Sequence, residues 1–312
     1  MPSSSTVFAP VRQDVQIPFG KARLGGWLYP SPIASASDPG PAIVLGHGLG
    51  AVKEMGLDKY ADLFQKQGYT AVCFDYRGFG TSTSTPRQIL DWYMQEEDWH
   101  AAILWTRGLA IVDPEQVGVF GSSFGGGHAI SIASQDKKLK AAISQCPFTN
   151  GFASAMTLGF TVLPRLSLLA LRTRSSTRRR IICRSNWRPN QGKVVALMNA
   201  HDAERGYLGL VPSNFSFKDE VAARVALQIA LLYPGANAKN VECPIYFAVC
   251  KDDTVAPPAS TLKYASKAPR GETKLYNFGH FSIYQGAGYE EASKDYVRFL
   301  KKYLPVSVQA KL

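Results

Sequence analysis

Short runs of apolar and β-branched residues alternate with longer amphipathic stretches along this 312-residue chain. Six of the short runs, 43–45, 71–74, 117–120, 141–144, 245–249 and 275–278, read as buried strands. Between them, 53–67 stops at Gly68, 88–109 repeats aromatic residues at helical spacing, and 123–134 begins directly after a strand, so these read as crossover helices. Ahead of them, 15–19 and 24–29 read as an antiparallel edge pair, followed by a Pro-, Ser- and Ala-rich loop over 30–41, and 290–304 closes the pattern as a helix. Strand–helix alternation of this kind predicts an α/β fold built on a mostly parallel, doubly wound sheet.

The interval 147–242 breaks the alternation. It holds helical stretches over 159–171 and 219–232 and no convincing strand, so the chain divides into a core over 1–146 and 243–312 with a helical cap inserted between them. Within the cap, 172–188 carries Arg172, Arg174, Arg178, Arg179, Arg180, Arg184 and Arg188 and no acid, a composition that cannot pack on a core and reads as an exposed loop. The alternatives are an arginine cluster gripping a phosphate of a carrier-bound substrate, or a stretch introduced by a splicing or frame error.

With 46% hydrophobic and 19% charged residues, the composition excludes disorder, collagen and coiled coil. The net charge is +11, but the arginine-rich stretch supplies seven of those charges and leaves the rest at +4, so neither a nucleic-acid partner nor a membrane surface is implied. No apolar run is long enough to span a bilayer, and the first residues lack the form of a secretory signal. The five cysteines form no CxxC pair or metal-type cluster, which fits a reducing compartment, and no metal or dissociable cofactor is implied.

The chemistry concentrates at Gly121-Ser122-Ser123-Phe124-Gly125, which follows the strand 117–120 and opens a helix. A strand turning sharply into a helix strains the central residue, and flanking glycines relieve the crowding, so Ser123 is presented as a nucleophile above the sheet. Ser122 is the local rival, and the glycine spacing argues against it. A serine hydroxyl needs a base, and of five histidines only His280, just beyond the last apolar strand, stands where the chain order Ser, acid, His requires it. The acid belongs after 245–249, where Asp252 and Asp253 are adjacent; the spacing to Pro257 favours Asp253, with Asp252 as a solvated or turn-capping residue. Asp253 would fix the imidazole tautomer and stabilise the imidazolium. The oxyanion donors are expected to be the backbone N–H groups of Phe124 and of Leu49, the latter within Gly46-His47-Gly48-Leu49-Gly50. That glycine loop lacks the lysine and hydroxyl of a phosphate cradle. The segment 75–80 reads as structural, with a charged pair bracing its loop.

These motifs together resemble the α/β-hydrolase fold. More narrowly, Gly46-His47-Gly48 with Lys53-Glu54, the 75–80 segment, Pro86-Arg87-Gln88 with Asp91, the 121–128 elbow, Asp253-Thr254-Val255-Ala256-Pro257 and 279–284 are similar to the fungal polyketide-transferase and thiohydrolase family of secondary-metabolite clusters. The resemblance implies a Ser123–His280–Asp253 triad and a small-molecule acyl ester or thioester substrate of polyketide or fatty-acyl type, acyl-CoA among them. Hydrolysis, or transfer of the acyl group to an alcohol, follows. An inactive binding protein on the same fold is the reading from another class. The final Ala310-Lys311-Leu312 resembles a peroxisomal address, which predicts an import receptor as partner and peroxisomal location, as in the abhydrolases of host-selective toxin clusters.

Overall fold

The computed structural model describes residues 11–158, 168, 180–184 and 196–306. Its centre is an eight-stranded sheet in the order β1-β2-β4-β3-β5-β6-β10-β11. The strands are β1 (Gln13–Phe19), β2 (Ala22–Tyr29), β3 (Gly40–Gly46), β4 (Thr70–Phe74), β5 (Val112–Ser122), β6 (Ala141–Gln145), β10 (Ile245–Cys250) and β11 (Gly271–Tyr276). β1 and β2 pair antiparallel, β2 joins β4 antiparallel, and every later pairing is parallel.

The two-residue period of a strand sorts the apolar side chains onto two faces. In β3, Ala42 and Val44 join one core and Ile43 and Leu45 the other; in β10, Ile245, Phe247 and Val249 part from Tyr246, Ala248 and Cys250 in the same way. Buried residues of α1 (Leu57–Lys66) and α8 (Gly286–Tyr303), such as Phe64 and Phe299, cover the second face. Those of α2 (Trp92–Arg107) and α3 (Phe124–Gln135), such as Trp99 and Ile130, cover the first. Each such side chain contributes about 1.5–3 kcal/mol by leaving water, so two covered faces give a rigid platform. The connection from β3 runs to β4 on one side, whereas that from β5 runs to β6 on the other, so the order reverses between β3 and β5. Ligands in open α/β sheets bind outside the carboxyl ends of strands at such a point.

Several boundaries differ from the sequence reading. α1 starts at Leu57 rather than 53, because Gly56 has φ 95° and Lys53 is drawn into an ion pair. α2 starts at Trp92 because Asp91 caps it, accepting from the N–H groups of Tyr93 and Met94 at 3.1 and 3.3 Å. β11 covers 271–276 rather than 275–278: as an edge strand it carries polar residues such as Glu272 and Lys274, which mask its start.

The larger correction falls in 147–242, where no strand was expected. A second, three-stranded sheet of β7 (Arg180–Arg184), β8 (Ala196–Met198) and β9 (Glu220–Ala222) stands there, β7 central, parallel to β8 and antiparallel to β9. Part of the arginine-rich stretch is thus strand rather than exposed loop, because Ile181 and Cys183 lie between its arginines and are buried. Where a helix was expected over 219–232, β9 is followed by the short α6 (Val225–Ile229). The helix expected over 159–171, apart from Leu168, lies outside the described residues, as do the arginines other than Arg180 and Arg184 and the tail Ala310-Lys311-Leu312. Two more helices, α4 (Gly151–Met156) and α5 (Ala203–Leu208), belong to this segment, and α7 (Pro258–Ala265) joins β10 to β11.

Candidate active site

Four loops at the carboxyl ends of β3, β5, β10 and β11 converge on one point. Ser123 sits between β5 and α3 with φ 55° and ψ −116°, an unfavourable backbone for any residue with a side chain. Close approach explains the glycines around it: a Cβ on Gly125 would lie 2.6 Å from the Gly46 carbonyl oxygen, and one on Gly48 would lie 3.2 Å from Ser123 Cβ. The glycines thus let the loop after β3 press against the turn after β5.

Ser123 Oγ is 2.9 Å from His280 Nε2, and His280 Nδ1 is 2.8 Å from Asp253 Oδ2. Asp253 Oδ1 accepts from the N–H groups of Val255 and Ala256 at 2.9 and 2.6 Å, which fixes the carboxylate facing the imidazole. The neighbouring Asp252 is exposed. Ser122 is buried, with its hydroxyl against Tyr284 Oη and Gln145, and stands away from the imidazole chain. Burial of His280 disfavours its charged form, but the Asp253 carboxylate, with the Cys146 sulfur adding to it, outweighs burial and pushes the imidazole up to about 9.

The Leu49 N–H donates to none of the described residues. Phe124, the first residue of α3, has no intrahelical acceptor for its own N–H. Both residues border Ser123, Phe124 as its chain neighbour and Leu49 in the wall of the same cavities, which leaves two backbone N–H groups and a helix N-terminus beside the hydroxyl.

Two residues near the imidazole carry no local sequence signal. Cys146 Sγ lies 3.8 Å from the His280 carbonyl oxygen and 3.6 Å from Tyr284 Oη. Asp202, from the 147–242 segment, accepts from Thr254 Oγ1 at 2.7 Å and adds negative charge near His280. Cys146, Asp253 and His280 each place a donor atom within 4.8 Å of the others, the kind of spacing a metal uses. Both imidazole nitrogens are already engaged by Asp253 and Ser123, so hydrogen bonding accounts for the arrangement.

The charged pair expected within 75–80 is in fact two pairs, each reaching outward. Asp75 is fully buried and takes Lys53 Nζ at 2.7 Å and the Lys53 N–H at 2.8 Å, tying the loop after β3 to the end of β4. Lys53 Nζ also donates to Glu54 and Thr81. Arg77 pairs instead with Asp98 of α2, its Nε 2.6 Å from Oδ1.

Comparison with known proteins agrees with this architecture. A family model described as the alpha/beta hydrolase fold matches residues 41–175. The chain is 41% identical to the quorum-quenching protein AidA of Acinetobacter baumannii, over 94% of this chain and 95% of that protein. It is 27% identical to the thiohydrolase aneE of Aspergillus aculeatus, over 85% and 86% of the two. Among solved structures, the α/β hydrolase GrgF from Penicillium superposes with a TM-score of 0.78 at 21% identity, covering 95% of this chain and 99% of that one. A parallel sheet reversed at β3, an elbow at its centre, and near full-length likeness to such proteins lead to one conclusion: the chain belongs to the α/β-hydrolase family, in company with fungal thiohydrolases and polyketide transferases.

Proposed function

We propose that the chain is a serine acyl hydrolase acting on a small-molecule acyl ester or thioester. The observation that carries this reading is the unbroken chain from Ser123 Oγ through His280 to Asp253, with contacts of 2.9 and 2.8 Å. His280 takes the proton of Ser123 as its oxygen attacks the acyl carbon, and Asp253 holds the imidazole and stabilises its charge. The Leu49 and Phe124 N–H groups receive the negative charge of the tetrahedral intermediate, and water activated by His280 then releases the acid. The names of the relatives fit this class: thiohydrolase in two fungi, and quorum-quenching protein in a bacterium, the latter suggesting a diffusible signal or secondary metabolite as substrate.

Acyl transfer to an alcohol is the second reading, favoured by relatives named polyketide transferase and acyltransferase. It needs no change in the triad, only an acceptor in place of water.

Intact-mass measurement after treatment with a fluorophosphonate probe tests the nucleophile without knowledge of the substrate. One adduct on the wild type, none on Ser123→Ala and slowed labelling of His280→Ala are expected. A folded wild-type protein that takes up no probe overturns the proposal.

A further inference from the structure

Two chambers meet at Ser123, and their walls differ in a way that proton transfer makes decisive. The larger, about 830 Å3 counting the space open to solvent, is lined mostly by apolar groups including Phe124, Phe148, Leu158, Leu197 and Ile229. The smaller, about 460 Å3 counted in the same way, has His280 in its wall beside Met55, Tyr207, Leu210 and Tyr284. His280 does not line the larger chamber. Among the described residues, Leu49, Ser123 and Met198 line both. Met198 arrives from β8 of the small sheet, so the 147–242 segment supplies one wall of the junction.

A proton moves between a side chain and a reacting atom only across one hydrogen bond, or through one water. The atom that collects the proton of His280 as it departs must therefore stand on the side of His280. Resting on the serine-hydrolase reading above, we infer that the acyl group occupies the larger chamber and the leaving group the smaller, with Met198 as the partition between them.

In the first half-reaction Ser123 Oγ bonds to the acyl carbon and its proton passes to His280 Nε2. The carbon–oxygen or carbon–sulfur bond then breaks, and Nε2 returns that proton to the departing alcohol or thiol in the smaller chamber. In the second half, a water or alcohol standing in the vacated chamber bonds through its oxygen to the acyl carbon and gives its proton to Nε2. Ser123 Oγ departs and takes the proton back. The same chamber thus serves leaving group and acceptor in turn. Among the described residues no lysine, arginine or acidic side chain lines the larger chamber, whose wall is mostly apolar with a few hydroxyl and amide groups, so it selects an extended apolar acyl group. The smaller chamber suits a compact alcohol or thiol.

Paired tryptophan variants test the assignment, since Ile229 lines only the larger chamber and Met55 only the smaller. Nitrophenyl esters of increasing acyl length probe the first; acetates of increasingly bulky alcohols probe the second. Ile229→Trp should lower kcat/KM for long acyl chains by about tenfold or more and leave the acetate series within about twofold, and Met55→Trp should do the reverse. Met198→Ala, which opens one chamber to the other, should flatten both preferences. Ala226→Leu and Ala51→Leu repeat the crossed pair with smaller changes should a tryptophan variant fail to fold. A reversed pattern, or equal losses on both series, overturns the assignment. Fluorophosphonate labelling of the same samples separates the two claims: labelled protein with an uncrossed pattern sinks the chambers alone, whereas an unlabelled wild type sinks the hydrolase reading beneath them.

Discussion

Asp253 spends its two oxygens differently, and the difference sets what its loss should do. Oδ1 accepts from the Val255 and Ala256 N–H groups and lies 3.0 Å from His280 Nδ1, whereas Oδ2 faces His280 Nδ1 alone, at 2.8 Å. Asp253→Asn keeps the shape and removes the charge, so an amide faces Nδ1 and the imidazole no longer has its proton fixed there. In a Ser-His-Asp triad this change typically lowers kcat about 10⁴-fold. It should also move the pH profile in a definite direction. His280 works as a base only when neutral, and its pKa is pushed up to about 9, so wild-type kcat/KM should rise with pH up to that region. Without the carboxylate, burial dominates and lowers the pKa, so the residual activity of Asp253→Asn should reach its plateau at lower pH. Rate profiles on a nitrophenyl ester decide this, and an acid limb that stays in place or moves upward contradicts it. At this scale the sequence was legible where chemistry is written locally, as in the elbow around Ser123 or the spacing from Asp253 to Pro257. Cys146 and Asp202 were not legible, because each reaches His280 from a distant element and nothing beside it in the chain announces the encounter.

The loop carrying Leu49 is held by a buried ion pair rather than by regular structure. Lys53 and Asp75 are 2% and 0% exposed, and each perturbs the other. Burial opposes the charge on both, but Asp75 raises the Lys53 pKa and Lys53 lowers that of Asp75. Removing one partner leaves a buried charge uncompensated, which typically costs about 3–5 kcal/mol. Lys53→Met should therefore lower the unfolding free energy by that order and reduce kcat more than it raises KM, since the displaced Leu49 N–H is the proposed donor to the intermediate. Chemical denaturation with parallel kinetics tests both halves, and unchanged stability would show that the pair does not brace the loop. The elements legible in the sequence are those whose pattern repeats over enough residues: β3, β4, β5 and β10 announce themselves by unbroken apolar runs because both faces of the sheet are covered. The small sheet was hidden for the opposite reason. β8 and β9 are three residues each, and β7 is a three-residue apolar run, Ile181-Ile182-Cys183, closed at both ends by arginine, so no window is long enough for its period to outweigh the charge.

For the molecule as a whole, folding and the proposed serine chemistry ask for opposite states of His280. Its folded pKa of about 9 lies above the ordinary 6.5, so its charged form contributes stability that is complete below 6.5 and is lost as pH rises through about 9. Converted through the shift, this contribution is about 3 kcal/mol. Asp75 runs the other way: its folded pKa lies below 3.8, so its contribution is present above 3.8 and is lost as pH falls through the folded value. Both contributions are in place between about 4 and 6.5, where stability should peak, whereas the neutral imidazole needed for attack on substrate accumulates only as pH climbs toward 9. The fold is thus most stable where His280 is charged and least able to act as a base. Calorimetric melting across pH 4 to 10 should show wild-type Tm falling between 6.5 and 9, with His280→Gln flatter over the same interval because it carries no titrating group there. Parallel curves for the two proteins would mean that the Asp253–His280 charge pair contributes nothing to the fold and that its whole effect lies in catalysis.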